Sequence, residues 1–327
     1  MRNPSPEGTS QRATMASTPL MQQYREIKSR HQNAILFFRM GEFYEMFYDD
    51  AETASRTLGL TLTSRNNGAA ADVPLAGVPV KAAADYVRRL VQHGFRVAIC
   101  EQMEDPKVAK GIVRREVIEI VTPGAAIADE LLDGARNTYV CAVPRTAEME
   151  NGKWKMGVAA ADLSTGELRL AVVPVDDMES LLARLAPREI LVAPHSPFSI
   201  SDSPLSAVRL ENALVTEREA WEFDEQMGRE DLARYYHVLG LDGLGIGESD
   251  AAAIGAAGAL LRYLKELQPA GVSLARPIVE RAQGIVPLDE MTRRNLELVE
   301  SLRGGGERGT TGTLIDVLDR TATPMGA

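Results

Sequence analysis

Seven of the chain's 17 aromatic residues, Tyr24, Phe37, Phe38, Phe43, Tyr44, Phe47 and Tyr48, fall within 25 consecutive positions of the 327. Even spacing would place about one there. Buried rings dominate core energetics, so this cluster fixes the centre of the first folded module. Phe43 is the exception. It follows Gly41, where the apolar run from Ala34 to Met40 breaks, and it lies between Glu42 and Glu45, poor company for a buried ring. In an extended chain Phe43 and Glu45, at i and i+2, project to one side and Tyr44 to the other. That sets an apolar wedge beside a hydrogen-bonding carboxyl.

Around this cluster the pattern alternates. Thr18-Pro19 followed by Leu20, Tyr24 and Ile27 predicts a helix over 19–31. Ala34 to Met40 reads as a buried strand, Asp49-Asp50 caps a second helix that Gly59 closes, and Leu60 to Thr63 reads as a strand before a polar loop from Ser64 to Asp72. Ala83, Tyr86, Val87, Leu90 and Val91 form the stripe of a third helix ending at Gly94, and Val97 to Cys100 is a strand. After a polar linker, Ile127 to Asn137, three strands (Thr138 to Val143, Lys153 to Asp162, Glu167 to Val175) are joined by turns at Asn151-Gly152 and Ser164 to Gly166. Asp176 to Leu185 reads as helix, Glu189 to Val192 as strand, and Glu217 to Leu267 as a helical series whose longest member runs from Ala251 to Leu267. From Pro277 a new pattern begins: a helix from Leu288-Asp289 through Leu302, a glycine-rich loop from Gly304 to Gly312, and a helix started by Thr313. The chain closes on Pro324-Met325-Gly326-Ala327 without a helix stop signal, as expected of a fragment.

Composition narrows the function classes. The longest small or apolar run, Ala251 to Leu261, is 11 residues, short of the roughly 20 that span a bilayer. The polar stretch from Met1 to Ser17 lacks the apolar segment of a secretory signal, so a cytoplasmic location is expected. Cys100 and Cys141 cannot form a disulfide framework, and neither they nor the four histidines show metal or triad spacing. Net charge is −10, which by itself disfavours phosphate binding. Residues 18–127, however, carry 14 basic against 13 acidic residues, whereas residues 128–327 carry 20 against 32. A near-neutral first module leaves room for a local nucleic-acid patch.

The run Phe37-Phe38-Arg39-Met40-Gly41-Glu42-Phe43-Tyr44-Glu45-Met46-Phe47-Tyr48-Asp49-Asp50-Ala51 resembles the mismatch-recognition signature of the MutS family of DNA mismatch repair proteins. Leu60 to Arg65, Pro74 to Pro79, Val97 to Gln102, Val121 to Gly124, Leu288-Asp289, Thr292 to Leu298 and Thr323 to Gly326 also fall where that family has signature segments. Two departures stand out: Val80-Lys81 where the family usually has Tyr-His, and Arg114-Arg115 where its charge pattern varies.

The resemblance implies an α/β chain in three parts behind a disordered tail, 1–17. These are a mixed-sheet α/β mismatch-binding domain over 18–128, a ribonuclease H-like α/β connector domain with its linker over 129–275, and the truncated start of an all-helical core (lever) domain over 276–327. It further implies recognition of mispaired or unpaired bases in double-stranded DNA, with Phe43 stacking from the minor groove and Glu45 bonding the displaced base. Arg65 and Arg115 are candidates for phosphate contacts. The full-length family binds ATP and Mg, acts as a nucleoid-associated homodimer and engages a MutL-type partner. The phosphate loop G-x-x-x-x-G-K-[ST] does not occur in this sequence, so no cofactor and no enzyme activity are expected of it. Two alternatives stay open. Asp162, in Ala161-Asp162-Leu163-Ser164-Thr165-Gly166, belongs either to a metal-dependent nuclease of ribonuclease H type or to a simple turn. The acidic second part also suits a protein-docking module without DNA activity.

Overall fold

The computed structural model describes residues 18–67, 70–105, 109, 111–125, 137–144, 148–150, 153–193, 213–281, 288, 290–299, 301–302 and 312–321. The expected tail, the linker after Ile127, the Asn151-Gly152 turn, the loop from Gly304 and the closing Pro324 to Ala327 lie outside or almost wholly outside these residues. The chain is an α/β protein of two compact units, Met1–Tyr86 with Val97–Ile118, and Val87–Arg96 with Glu119–Ala327. No helix among the described residues is long and apolar enough to cross a membrane.

The first sheet is built from β1 (Ile35–Met40), β2 (Phe43–Phe47), β3 (Thr63–Asn67), β4 (Ala70–Pro79), β5 (Val97–Gln102) and β6 (Arg115–Val121), in the order β3-β4-β2-β1-β5-β6. β1 runs parallel to β5 and antiparallel to β2, and β4 pairs antiparallel with both β2 and β3. The helices α1 (Pro19–Arg30), α2 (Tyr48–Leu58) and α3 (Ala83–Gln92) follow the predicted stripes, and α2 ends at Gly59 in the left-handed region. Tyr24 packs edge-on against Phe38 and Phe47, with ring centroids 5.5 and 4.9 Å away. The aromatic cluster is thus the core of this unit.

Two local expectations are corrected. The stretch from Ser64 to Asp72, read as a loop, supplies most of β3 and the start of β4, while Leu60 to Leu62 precede the strand. Thr63 and Ser64, on opposite faces of this edge strand, are both exposed, so no apolar alternation marks it. Asp50 does not cap α2, whose N-cap is Phe47. Its buried carboxylate instead accepts hydrogen bonds from Tyr24 Oη (3.1 Å), Lys28 Nζ (2.8 Å) and Leu36 N (3.0 Å), so it stitches α1 to β1.

The second sheet has the order β12-β11-β7-β9-β10-β13, with β8 (Glu148–Glu150) on β9. Its strands are β7 (Tyr139–Val143), β9 (Lys153–Asp162), β10 (Glu167–Pro174), β11 (Glu189–Val192), β12 (Leu214–Glu217) and β13 (Ile278–Glu280). β7, β9 and β10 are antiparallel neighbours, as expected, though the unpredicted β8 comes between β7 and β9 in the chain, whereas β11 and β12 join β7 in parallel and β13 joins β10 in parallel. Both faces are covered. Val158 and Ala160 pack with Leu181 and Leu182 of α4 (Met178–Leu185), and Ala159 and Ala161 pack with Ile254 and Leu260 of α6 (Ala251–Leu267). A strand buried on both sides reads as a continuous small-apolar run. At Gly157 an added Cβ would lie 2.1 Å from the Ala252 carbonyl carbon, so only glycine admits α6 this closely.

Sequence periodicity missed β6, β8, β12 and β13, which are short or charged, and it overextended the helix after Leu288. That helix, α7 (Glu290–Asn295), stops before Glu297, whose φ of +45° is left-handed. Thr313 does cap α8 (Leu314–Leu318), its side chain accepting from Asp316 N. α5 (Glu225–Tyr236) packs on α6 through Gly228 and Gly258, where a Cβ on Gly258 would lie 2.5 Å from Gly228 Cα. Glu189, wholly buried, accepts from Thr122 Oγ1 (2.5 Å), Thr216 Oγ1 (2.7 Å), Tyr263 Oη (2.5 Å) and Arg96 Nη2 (3.3 Å). A buried carboxylate so fully paired is strongly destabilising to break.

Candidate nucleic-acid interface

β1 and β2 form a hairpin closed by Gly41-Glu42, with Met40 paired to Phe43. Gly41 takes φ +58°, which a two-residue loop demands of its first residue and glycine grants without strain. Past it the strand alternates as expected: Tyr44 and Met46 turn into the core, while Phe43, Glu45 and Phe47 share the other face. Along that face burial falls toward the hairpin end. Phe47 is 0 % exposed and Phe43 is 48 % exposed. Of the seven clustered aromatics, Phe43 alone is an exposed large apolar side chain.

The hairpin is held from its other face. Arg39 donates from Nε to the Gly41 carbonyl (2.5 Å) and from Nη1 to Glu101 (3.1 Å), and its guanidinium lies 5.6 Å from the Tyr44 ring centroid. Tyr44 Oη also donates to Glu101. Burial, aided by that carboxylate, pushes the Tyr44 phenol up to about 12, so it stays a donor at physiological pH. On the β4 side Phe43 pairs with Pro79, and Val80 N donates to Glu42 O (3.0 Å).

The four sequence candidates do not behave alike. Glu45 is half-buried one pleat behind Phe43, and burial raises its carboxyl above the usual range against the opposing pull of Arg65 and Arg115. Arg65, on β3, is brought to it: Nη1 lies 2.6 Å from Glu45 Oε2. Arg115 is turned inward. Its side chain donates to Arg39 O (2.7 Å), Gln23 Oε1 (3.0 Å) and Val113 O (2.9 Å), and it stacks 4.8 Å from the Phe38 ring centroid, leaving the residue 6 % exposed. This guanidinium ties strands together and presents little to solvent. Lys81 was not among the candidates. It stands exposed two residues past Pro79, the partner of Phe43, and pairs with no described residue. The Val80-Lys81 departure was the signal that could have found it.

Asp162 is wholly buried, and its carboxylate accepts from Thr138 N (3.0 Å), Ser164 N (2.8 Å) and Ser164 Oγ (2.6 Å). It organises the β9–β10 turn, and no group of three or more His, Cys, Asp or Glu among the described residues is placed to hold a metal ion. Burial pushes the Cys100 thiol up to about 12, which leaves it inert.

Comparison with known proteins identifies the family. Residues 18–130 match the model of MutS domain I and residues 138–276 that of MutS domain II. The DNA mismatch repair protein MutS of Chlorobaculum parvum (strain DSM 263 / NCIMB 8327) is 41 % identical over 313 residues, which cover 95 % of this chain and 34 % of that protein. MutS proteins of Solibacter usitatus (strain Ellin6076) and Dinoroseobacter shibae (strain DSM 16493 / NCIMB 14021 / DFL 12) are 42 % and 43 % identical, again over 95 % of this chain and 35 % and 34 % of their own length. The chain therefore spans about a third of the relatives it matches, and over that span it belongs to the MutS family, of which it carries domains I and II.

Proposed function

We propose that this chain recognises mispaired or unpaired bases in duplex DNA as part of DNA mismatch repair, with Phe43 entering from the minor groove and Glu45 meeting the displaced base. The observation that carries this reading is the half-exposed Phe43 at the end of a braced hairpin whose other rings are buried. A mispaired base costs less to unstack than a Watson-Crick pair, so an apolar wedge discriminates by deformability without a base code. Stacking on the ring is worth roughly 1–3 kcal/mol. Lys81, beside the wedge, supplies a phosphate contact that positions the duplex.

The same reading makes the second unit a ribonuclease H-like connector, supported by three antiparallel strands followed by two parallel ones. The helical core begins beyond β13, which still pairs with β10 past the expected boundary at 276. In the whole protein, binding is coupled to ATP and Mg, to a homodimer and to a MutL-type partner at the nucleoid. The test is a duplex with 2-aminopurine at the mispair. Binding by this chain should change its emission through stacking on Phe43, and Phe43→Ala should abolish the change; an identical change with Phe43→Ala would refute the wedge.

A further inference from the structure

On the wedge face, Glu45 lies between Phe43 and Phe47, with arginine as its polar partner. Its β4 partner is Gly77, where even a Cβ would only reach 3.8 Å from Glu45 Cγ, and its β1 partner is Phe38. Arg65 comes across from β3 to within 2.6 Å, with the arginine side chain 34 % and the glutamate side chain 20 % exposed. The guanidinium also lies 6.0 Å from the Phe47 ring centroid, which confines it to this face. A pair this close and partly desolvated is directional and stronger than an ordinary surface pair.

We propose that Arg65 is a positioning residue for Glu45, holding the carboxylate toward β3 in the free protein and releasing it to a base only in exchange for this ion pair. The proposal rests on the reading of Glu45 as the base contact. A perfectly stacked duplex offers no displaced base to compensate for breaking the pair, so the latch adds a penalty that falls mainly on matched DNA. The charged groups facing Glu45 are Arg65 from β3 and Arg115 from β6, while Phe38 and Gly77 do not titrate. The carboxyl of Glu45 is the group at this site whose protonation the experiments follow.

Two measurements on the full chain test it. In the first, the glutamate carboxyls are labelled with carbon-13 and titrated without DNA, with Glu45→Gln identifying the Glu45 signal. Arg65→Met should move that titration upward, and Arg65→Lys should restore most of it; an unmoved midpoint overturns the proposal. In the second, the affinity ratio for a G·T duplex over its matched duplex is followed against pH at constant salt. Arg65→Met should shift that profile upward and should add nothing in a Glu45→Gln background. Equal weakening of both duplexes with an unmoved profile would make Arg65 a plain phosphate contact and overturn the latch. If Glu45→Gln leaves the ratio unchanged, the base-contact reading fails, while the DNA-free titration still reports on the ion pair.

Discussion

Phe43 and Phe47 stand on the same face of one five-residue strand, yet Phe47 is wholly buried and Phe43 is 48 % exposed. The difference comes from what lies over each end. Phe47 meets Tyr24 at 4.9 Å and Phe38 at 6.5 Å, while Phe43 is at the hairpin loop. Truncating the two rings should therefore separate stability from function. Phe47→Ala should cost about 3–5 kcal/mol of stability, and Phe43→Ala about 1 kcal/mol or less. Urea denaturation of both variants checks this.

Lys81 offers a different test of the interface. As a phosphate contact it acts on every duplex alike, so Lys81→Ala should weaken matched and mismatched DNA by the same factor. The slope of log affinity against log salt should shrink by roughly one unit of charge. Salt titrations on both duplexes measure it, and a change confined to the mismatched duplex would contradict the assignment.

The edge of the second sheet carries an acid-sensitive link. Glu280 on β13 pairs with Arg169 Nη1 at 2.8 Å and with Arg184. Burial pushes its carboxyl up, but the hydrogen bonds and charges of Arg184 and Arg169 together outweigh this and hold it below the usual carboxylate range. A carboxyl lowered by folding stabilises above its unfolded pKa, and that stabilisation is lost as pH falls through the folded one. Glu280→Gln should accordingly lower the melting temperature at pH 7, by a loss of about 1 kcal/mol or less given the exposure of Arg184. The gap to the parent protein should close as pH drops below about 4.

Strong periodicity made most of this structure legible. The expected bounds Lys153 to Asp162 and Ala251 to Leu267 match β9 and α6, because length and flanking turn residues separate a short buried strand from a long apolar helix. Gly41 and Gly59 announced their turns through positive φ. The exposure of Phe43 was legible because an aromatic between two glutamates makes a poor core residue. What the sequence hid was pairing over distance. Nothing local says that Arg65 reaches back 20 residues to Glu45, that Arg115 spends its donors on Gln23 and Arg39, or that Asp50 binds Leu36 N rather than its own helix. Charged side chains choose partners in three dimensions, and periodicity records only which face they leave.

The central claim is that Phe43 reads mispairs. Its most direct test is the ratio of affinities, at one fixed low salt, for a duplex carrying a single G·T pair or unpaired T over the matched duplex, in this chain and in Phe43→Ala. The account predicts a preference for the mispair that Phe43→Ala erases while leaving the weak affinity for matched DNA in place. A mispair preference that survives Phe43→Ala unchanged would contradict it.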